Sequence, residues 1–206
     1  MDIMDLLKGQ LSEGVLDQLT QQIGASDKQQ TAAATAGIMN TLVGALAKNA
    51  AKPEGASALS NALDRDHDGS VLDDLMGMFS GNSQVVQQNA RAVNGTGIVN
   101  HILGDRQGNA IDMISKLSGL DSGKTGNLMT MLAPLLMGAL GKTKRQQGLD
   151  VGGLANLLNG TVSQKAQDPT MSLVTRFLDA DGDGSIVDDV ANMGMKILGG
   201  LFGRKK

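Results

Sequence analysis

Two aspartate-rich runs stand 115 positions apart: Asp64-Arg-Asp66-His-Asp68-Gly69-Ser70-Val71-Leu72-Asp73-Asp74 and Asp179-Ala-Asp181-Gly-Asp183-Gly184-Ser185-Ile186-Val187-Asp188-Asp189. Each begins Asp-x-Asp-x-Asp-Gly, the spacing by which a tight turn aims three carboxylates at one hard cation such as Ca²⁺. In an EF-hand loop the ligands are positions 1, 3 and 5, the backbone carbonyl of 7, often a water at 9, and a bidentate Glu at 12. Here the first three are Asp64, Asp66 and Asp68 in one copy and Asp179, Asp181 and Asp183 in the other. Ser70 and Ser185 take position 7.

The departure is at position 12, where Leu75 and Val190 offer no ligand. Asp74 and Asp189, at position 11, are the carboxylates placed to close each site. Asp73 and Asp188 follow Ser70 and Ser185 at capping-box spacing, which suits helix capping or an alternative metal ligand. An open twelfth position implies weak to moderate affinity and more tolerance of Mg²⁺. The bland alternative is an acidic, solvated turn leading into a capped helix.

The charge distribution follows the same pattern. Ten of the 21 acidic residues lie in the two loops, and the rest of the chain is mildly basic. The 206 residues include 12 Met and three Phe but no Trp, Tyr or Cys. The core must therefore be aliphatic, and thiolate catalysis, disulfides and zinc ribbons are excluded. No nucleophile elbow, P-loop or dinucleotide fingerprint appears, so the expectation is a protein without enzymatic activity. His67, at loop position 4, is expected to face solvent. His101 is expected to pair with Asp105 or cap its helix. Neither a leader pattern nor a long apolar run is present, which suggests a cytoplasmic protein.

The elements that must carry the loops read as helices. Apolar spacings of three and four predict them over 3–8, 12–23, 28–48, 55–63, 71–79 and weakly 84–93. A second series covers 97–103, 108–118, 122–141, 150–158, 170–178 and 186–201, and no strand is expected. Leu42-Val-Gly44-Ala45-Leu46-Ala-Lys48 matches Leu136-Met-Gly138-Ala139-Leu140-Gly-Lys142 at an offset of 94, against 115 for the loops. The expected architecture is all-α and multihelical, with two diverged helical repeats each ending in an EF-hand-like loop. The first repeat covers 1–82 with its loop at 64–75, and the second covers 83–206 with its loop at 179–190.

Several stretches resemble DUF937, the bacterial family of unknown function that includes YidB-like proteins. They are Asp5-Leu-Leu-Lys-Gly-Gln-Leu11, Asn61-Ala-Leu-Asp-Arg-Asp-His-Asp-Gly-Ser70, Gly97-Ile-Val-Asn-His-Ile-Leu-Gly104 and Met131-Leu-Ala-Pro-Leu-Leu-Met-Gly-Ala-Leu-Gly-Lys142. The resemblance covers roughly residues 1–160 and implies an all-helical fold, with no catalytic residues to transfer.

The function expected from these features is a non-enzymatic helical protein braced by two structural calcium-type loops. Its small-residue and Met-rich faces suit a homo-oligomer or a protein partner. The alternative is a nucleic-acid or anionic-membrane-surface binder. That reading would use the basic body, Lys142-Thr-Lys-Arg145, and the apolar segment 193–206 ending Arg204-Lys-Lys206. Aromatic side chains for base stacking are missing, which makes nucleic acid the weaker of the two.

Overall fold

The computed structural model describes residues 13–67 and 93–179, with Asp179 described by its backbone alone. The described residues are all-helical, without strands. In chain order they form α1 (Glu13–Gln22), α2 (Lys28–Ala50), α3 (Pro53–Asp66), α4 (Gly95–Leu103) and a 3₁₀ turn (Gly104–Arg106). Then come α5 (Gln107–Ser118), α6 (Ser122–Gln147), α7 (Val151–Gln164) and α8 (Pro169–Asp179). The expected segments 3–8, 71–79 and 186–201 lie outside the described residues, as does nearly all of 84–93.

Local chemistry explains where the helices start. Asp27 caps α2 by accepting from the backbone N–H of Gln29 and Gln30, at 2.7 and 3.2 Å. Asp121 does the same for α6 through Gly123 and Lys124, and Asp150 caps α7 through Gly153. Proline at the first helical position opens α3 and α8, where the missing N–H costs nothing. Left-handed glycines stop α5 and α6, with Gly119 at φ 74° and Gly148 at φ 59°.

α2 is the hub. It packs against every other α-helix among the described residues, and it is buried almost throughout from Thr31 to Ala50. A helix apolar on most of its circumference must lie inside the fold. α6 is the second inner helix, with Leu128, Met129, Leu132, Leu136 and Leu140 fully buried. Small residues let the helices approach. A Cβ on Gly95 would collide with the Thr130 carbonyl of α6, and one on Gly55 with the Asn49 carbonyl of α2.

Two expected boundaries are corrected. α6 does not end at residue 141 but runs on to Gln147, because its left-handed stop is Gly148. α7 does not end at 158 but extends to Gln164.

Candidate functional site

The first aspartate loop leaves from the C-terminal end of α3, which remains helical through Asp66. Asp64 and Asp66 therefore sit two residues apart on a helix and do not share a face. Asp64 is turned toward α6, where it forms an ion pair with Lys144. The Lys144 side chain is 10% exposed and also donates to the Ser60 carbonyl at 3.4 Å. Asp66 accepts from Arg65, at 2.9 Å from Nε and 2.6 Å from the guanidinium tip.

The second loop leaves from α8, whose Leu178 carbonyl accepts from Lys48 Nζ of α2 and, at 2.9 Å, from Arg106. Cationic groups at a helix C-terminus are favoured by its partial negative charge. Lys48 thus holds a backbone carbonyl at the end of α8, whereas Lys144 holds the Asp64 side chain in the last turn of α3.

Of the sequence-derived ligands, Asp64 and Asp66 fall within the described residues, and Asp179 does so by backbone alone. Asp68, Ser70, Asp73, Asp74, Asp181, Asp183, Ser185, Asp188 and Asp189 lie outside them. Among the described residues, no group of three or more His, Asp or Glu is gathered for a metal. The donor chemistry of Asp64 and Asp66 suits a hard cation, but their conformation does not converge. Sharing one ion requires the last turn of α3 to open and Lys144 to give up Asp64.

His67 departs from expectation. It is 4% exposed rather than solvent-facing, and its Nδ1 has no hydrogen-bond partner. Burial pushes its pKa below the ordinary imidazole value, against an opposing pull from Asp66. His67 lies four residues after Leu63, which is 1% exposed, so the two fall near the same inner face at the end of α3 while Asp64 and Arg65 between them are exposed. His101 is exposed on α4, with no hydrogen bond to Asp105 among the described residues.

Both histidines line one cleft of about 1020 Å³ between α3 and α4, floored by Leu46 and Met137. Asp66, from the first aspartate run, also lines it, as do Lys48 and Arg106, the two donors to the Leu178 carbonyl. Its charge is mixed, because Glu54, Asp66 and Asp105 face Lys48, Lys52, Arg65 and Arg106. No reaction chemistry follows from such a lining.

The sequence missed Lys144. In Lys142-Thr-Lys-Arg145 it looked like part of a basic surface, yet it is buried, with Lys142 and Arg145 on the exposed side. The only sequence signal was its spacing: Thr143 and Lys144 extend the apolar stripe of Leu136 and Leu140. Among the described residues, no helix is long and apolar enough to cross a membrane.

Residues 5–143 match the family model described as bacterial protein of unknown function, DUF937. The match spans about two-thirds of the chain, stops short of the roughly 160 residues expected, and contains the first aspartate loop but not the second. No curated protein and no solved structure matches the chain. With its helical core carrying that match, the chain belongs to the DUF937 family of bacterial proteins.

Proposed function

We propose that this protein is a non-enzymatic helical scaffold whose two Asp-x-Asp-x-Asp-Gly loops each take a hard divalent cation, Ca²⁺ in preference to Mg²⁺. The cations brace the ends of α3 and α8, and the braced scaffold supports self-association or docking of a protein partner. The observation that carries the reading is one placement made twice. Each aspartate run continues from the C-terminal end of a helix, and that helix is tethered by a lysine from a long inner helix. Duplicated helical units, each ending in its loop, belong to the same reading, supported by the match of Leu42–Lys48 with Leu136–Lys142.

Affinity is modest in this reading. Position 12 carries no carboxylate, and the Lys144 ammonium holds Asp64 in competition with the ion. A ligand that binds only the folded state stabilises it by about 2.7 kcal/mol at a concentration 100 times its Kd. The test is thermal melting of chelator-treated protein with and without Ca²⁺, for the natural chain and for Asp68→Asn with Asp183→Asn. Ca²⁺ should raise the melting temperature of the natural chain and leave the double variant unmoved. Equal shifts in both would reject the loops as the binding sites.

A further inference from the structure

We propose that the cleft between α3 and α4 receives an extended apolar peptide whose free C-terminal carboxylate is met by Lys48 and Arg106. The inference rests on the partner-docking part of the proposed function and does not require the cation.

The cleft stands open because its walls do not pack together. α3 and α4 each pack on α2 and α6 rather than on one another. The space between them is about 1020 Å³, floored by the buried Leu46 and Met137. Ala58 and Ala62 keep the α3 wall low. From Glu54 to Asp66 that wall extends roughly 18 Å, at about 1.5 Å per residue. An extended chain of about five residues spans such a length. Asn49, Asn94, His67 and His101 also line the cleft, so polar groups accompany its apolar floor. That mixture suits a peptide, with N–H and C=O groups along its length, better than a purely apolar chain.

Charge places the carboxylate. Lys48 and Arg106 both donate to the single carbonyl oxygen of Leu178, so two cations are pinned side by side on one neutral acceptor. An anion beside them offsets their mutual repulsion. Arg106 retains further N–H groups, in the fork geometry that receives a carboxylate. Arg65 and Asp66 pair with each other. Glu54 and Asp105 line the same cleft, but both are exposed, and no hydrogen bond or ion pair among the described residues holds either over it.

His67 is a second, independent sign of a ligand. It lines the cleft, is 4% exposed, and its Nδ1 has no partner. Buried polar atoms in folded proteins are almost always paired. A backbone amide of the docked peptide supplies the missing hydrogen bond.

The test is NMR of the two histidine side chains in the full chain, with chelator present so that the loops play no part. Both line the cleft and the chain has no other histidine, so each signal reports on it directly. The probes are the acetylated pentapeptide AVAVL with a free carboxylate and the same peptide as its C-terminal amide. The acid should shift both signals saturably and bind about tenfold tighter than the amide. Arg106→Gln, with Lys48 still holding the Leu178 carbonyl, should erase that preference. Ala58→Phe, at an exposed position of α3, should fill the cleft and abolish both shifts. No saturable shift, equal binding of acid and amide, or undiminished binding in Ala58→Phe would each overturn the inference. None of these results touches Ca²⁺ binding, which is read separately by melting without peptide.

Discussion

Lys144 of α6 and Asp64 of α3 are 80 residues apart in sequence and form an ion pair at the point where the first aspartate loop begins. The lysine is nearly buried, while the Asp64 side chain is 64% exposed. The pair is therefore asymmetric: the ammonium depends on its partners far more than the carboxylate does.

That asymmetry sets the first prediction. Lys144→Met keeps the aliphatic stem, leaves the Ser60 carbonyl to its helical donor and the exposed Asp64 carboxylate to water, and so should cost about 1 kcal/mol or less. Asp64→Asn should cost more in chemical unfolding, since it leaves a nearly buried ammonium with only a neutral amide and the Ser60 carbonyl as partners. Equal losses would mean that the ion pair itself, not the stranded ammonium, sets the cost.

A second prediction concerns close helix approach. Gly95→Ala places a Cβ against the Thr130 carbonyl, a backbone atom that cannot swing away. Overpacking costs about 1–3 kcal/mol, and more when backbone must move. Gly108→Ala, where a Cβ meets open space, should be neutral or slightly stabilising through helix propensity. Thermal melting of the two variants should separate them clearly.

His67 provides the third. Its folded pKa is lowered by burial, so below its ordinary value of 6.5 the unfolded chain takes up a proton that the folded chain resists. Stability is thus full above about pH 6.5 and is lost as pH falls toward the folded pKa. Urea unfolding at about pH 7.5 and 5.5 should show a drop that His67→Phe reduces. An identical drop in that variant would place the sensitivity elsewhere.

Most of the helical framework was legible in the sequence, for physical reasons. Asp27, Asp121 and Asp150 combine a capping side chain with apolar periodicity behind it, and each begins a helix as expected. Errors arose where tertiary contacts decide. The expected end of α6 at 141 came from local apolar spacing, but the helix continues to Gln147, with Thr143 and Lys144 packed inward. His67 looked outward by analogy with metal loops, yet it lies four residues beyond the buried Leu63 and is itself buried. Lys144 could not be paired with Asp64 from sequence, because an 80-residue separation leaves no periodic trace. Of the candidate cation sites, the motif was fully legible. The divergence of Asp64 and Asp66 came only from α3 continuing through the loop's first three positions.

A fourth prediction follows from the caps. Asp121→Ala removes the acceptor for Gly123 and Lys124 at the start of α6 and should cost about 1 kcal/mol. Asp121→Asn should recover most of it, since the amide oxygen still accepts. Chemical denaturation distinguishes the two, and no recovery by Asn would assign the effect to charge at the helix N-terminus.

The most direct test of cation-braced loops is calorimetric titration of the chelator-treated full chain with Ca²⁺. Two bound ions per chain are expected, weaker than in loops closed by a bidentate Glu, with the first site tightened by Lys144→Met. No binding heat and no shift in melting temperature at millimolar Ca²⁺, in either the natural chain or that variant, would contradict the proposed brace.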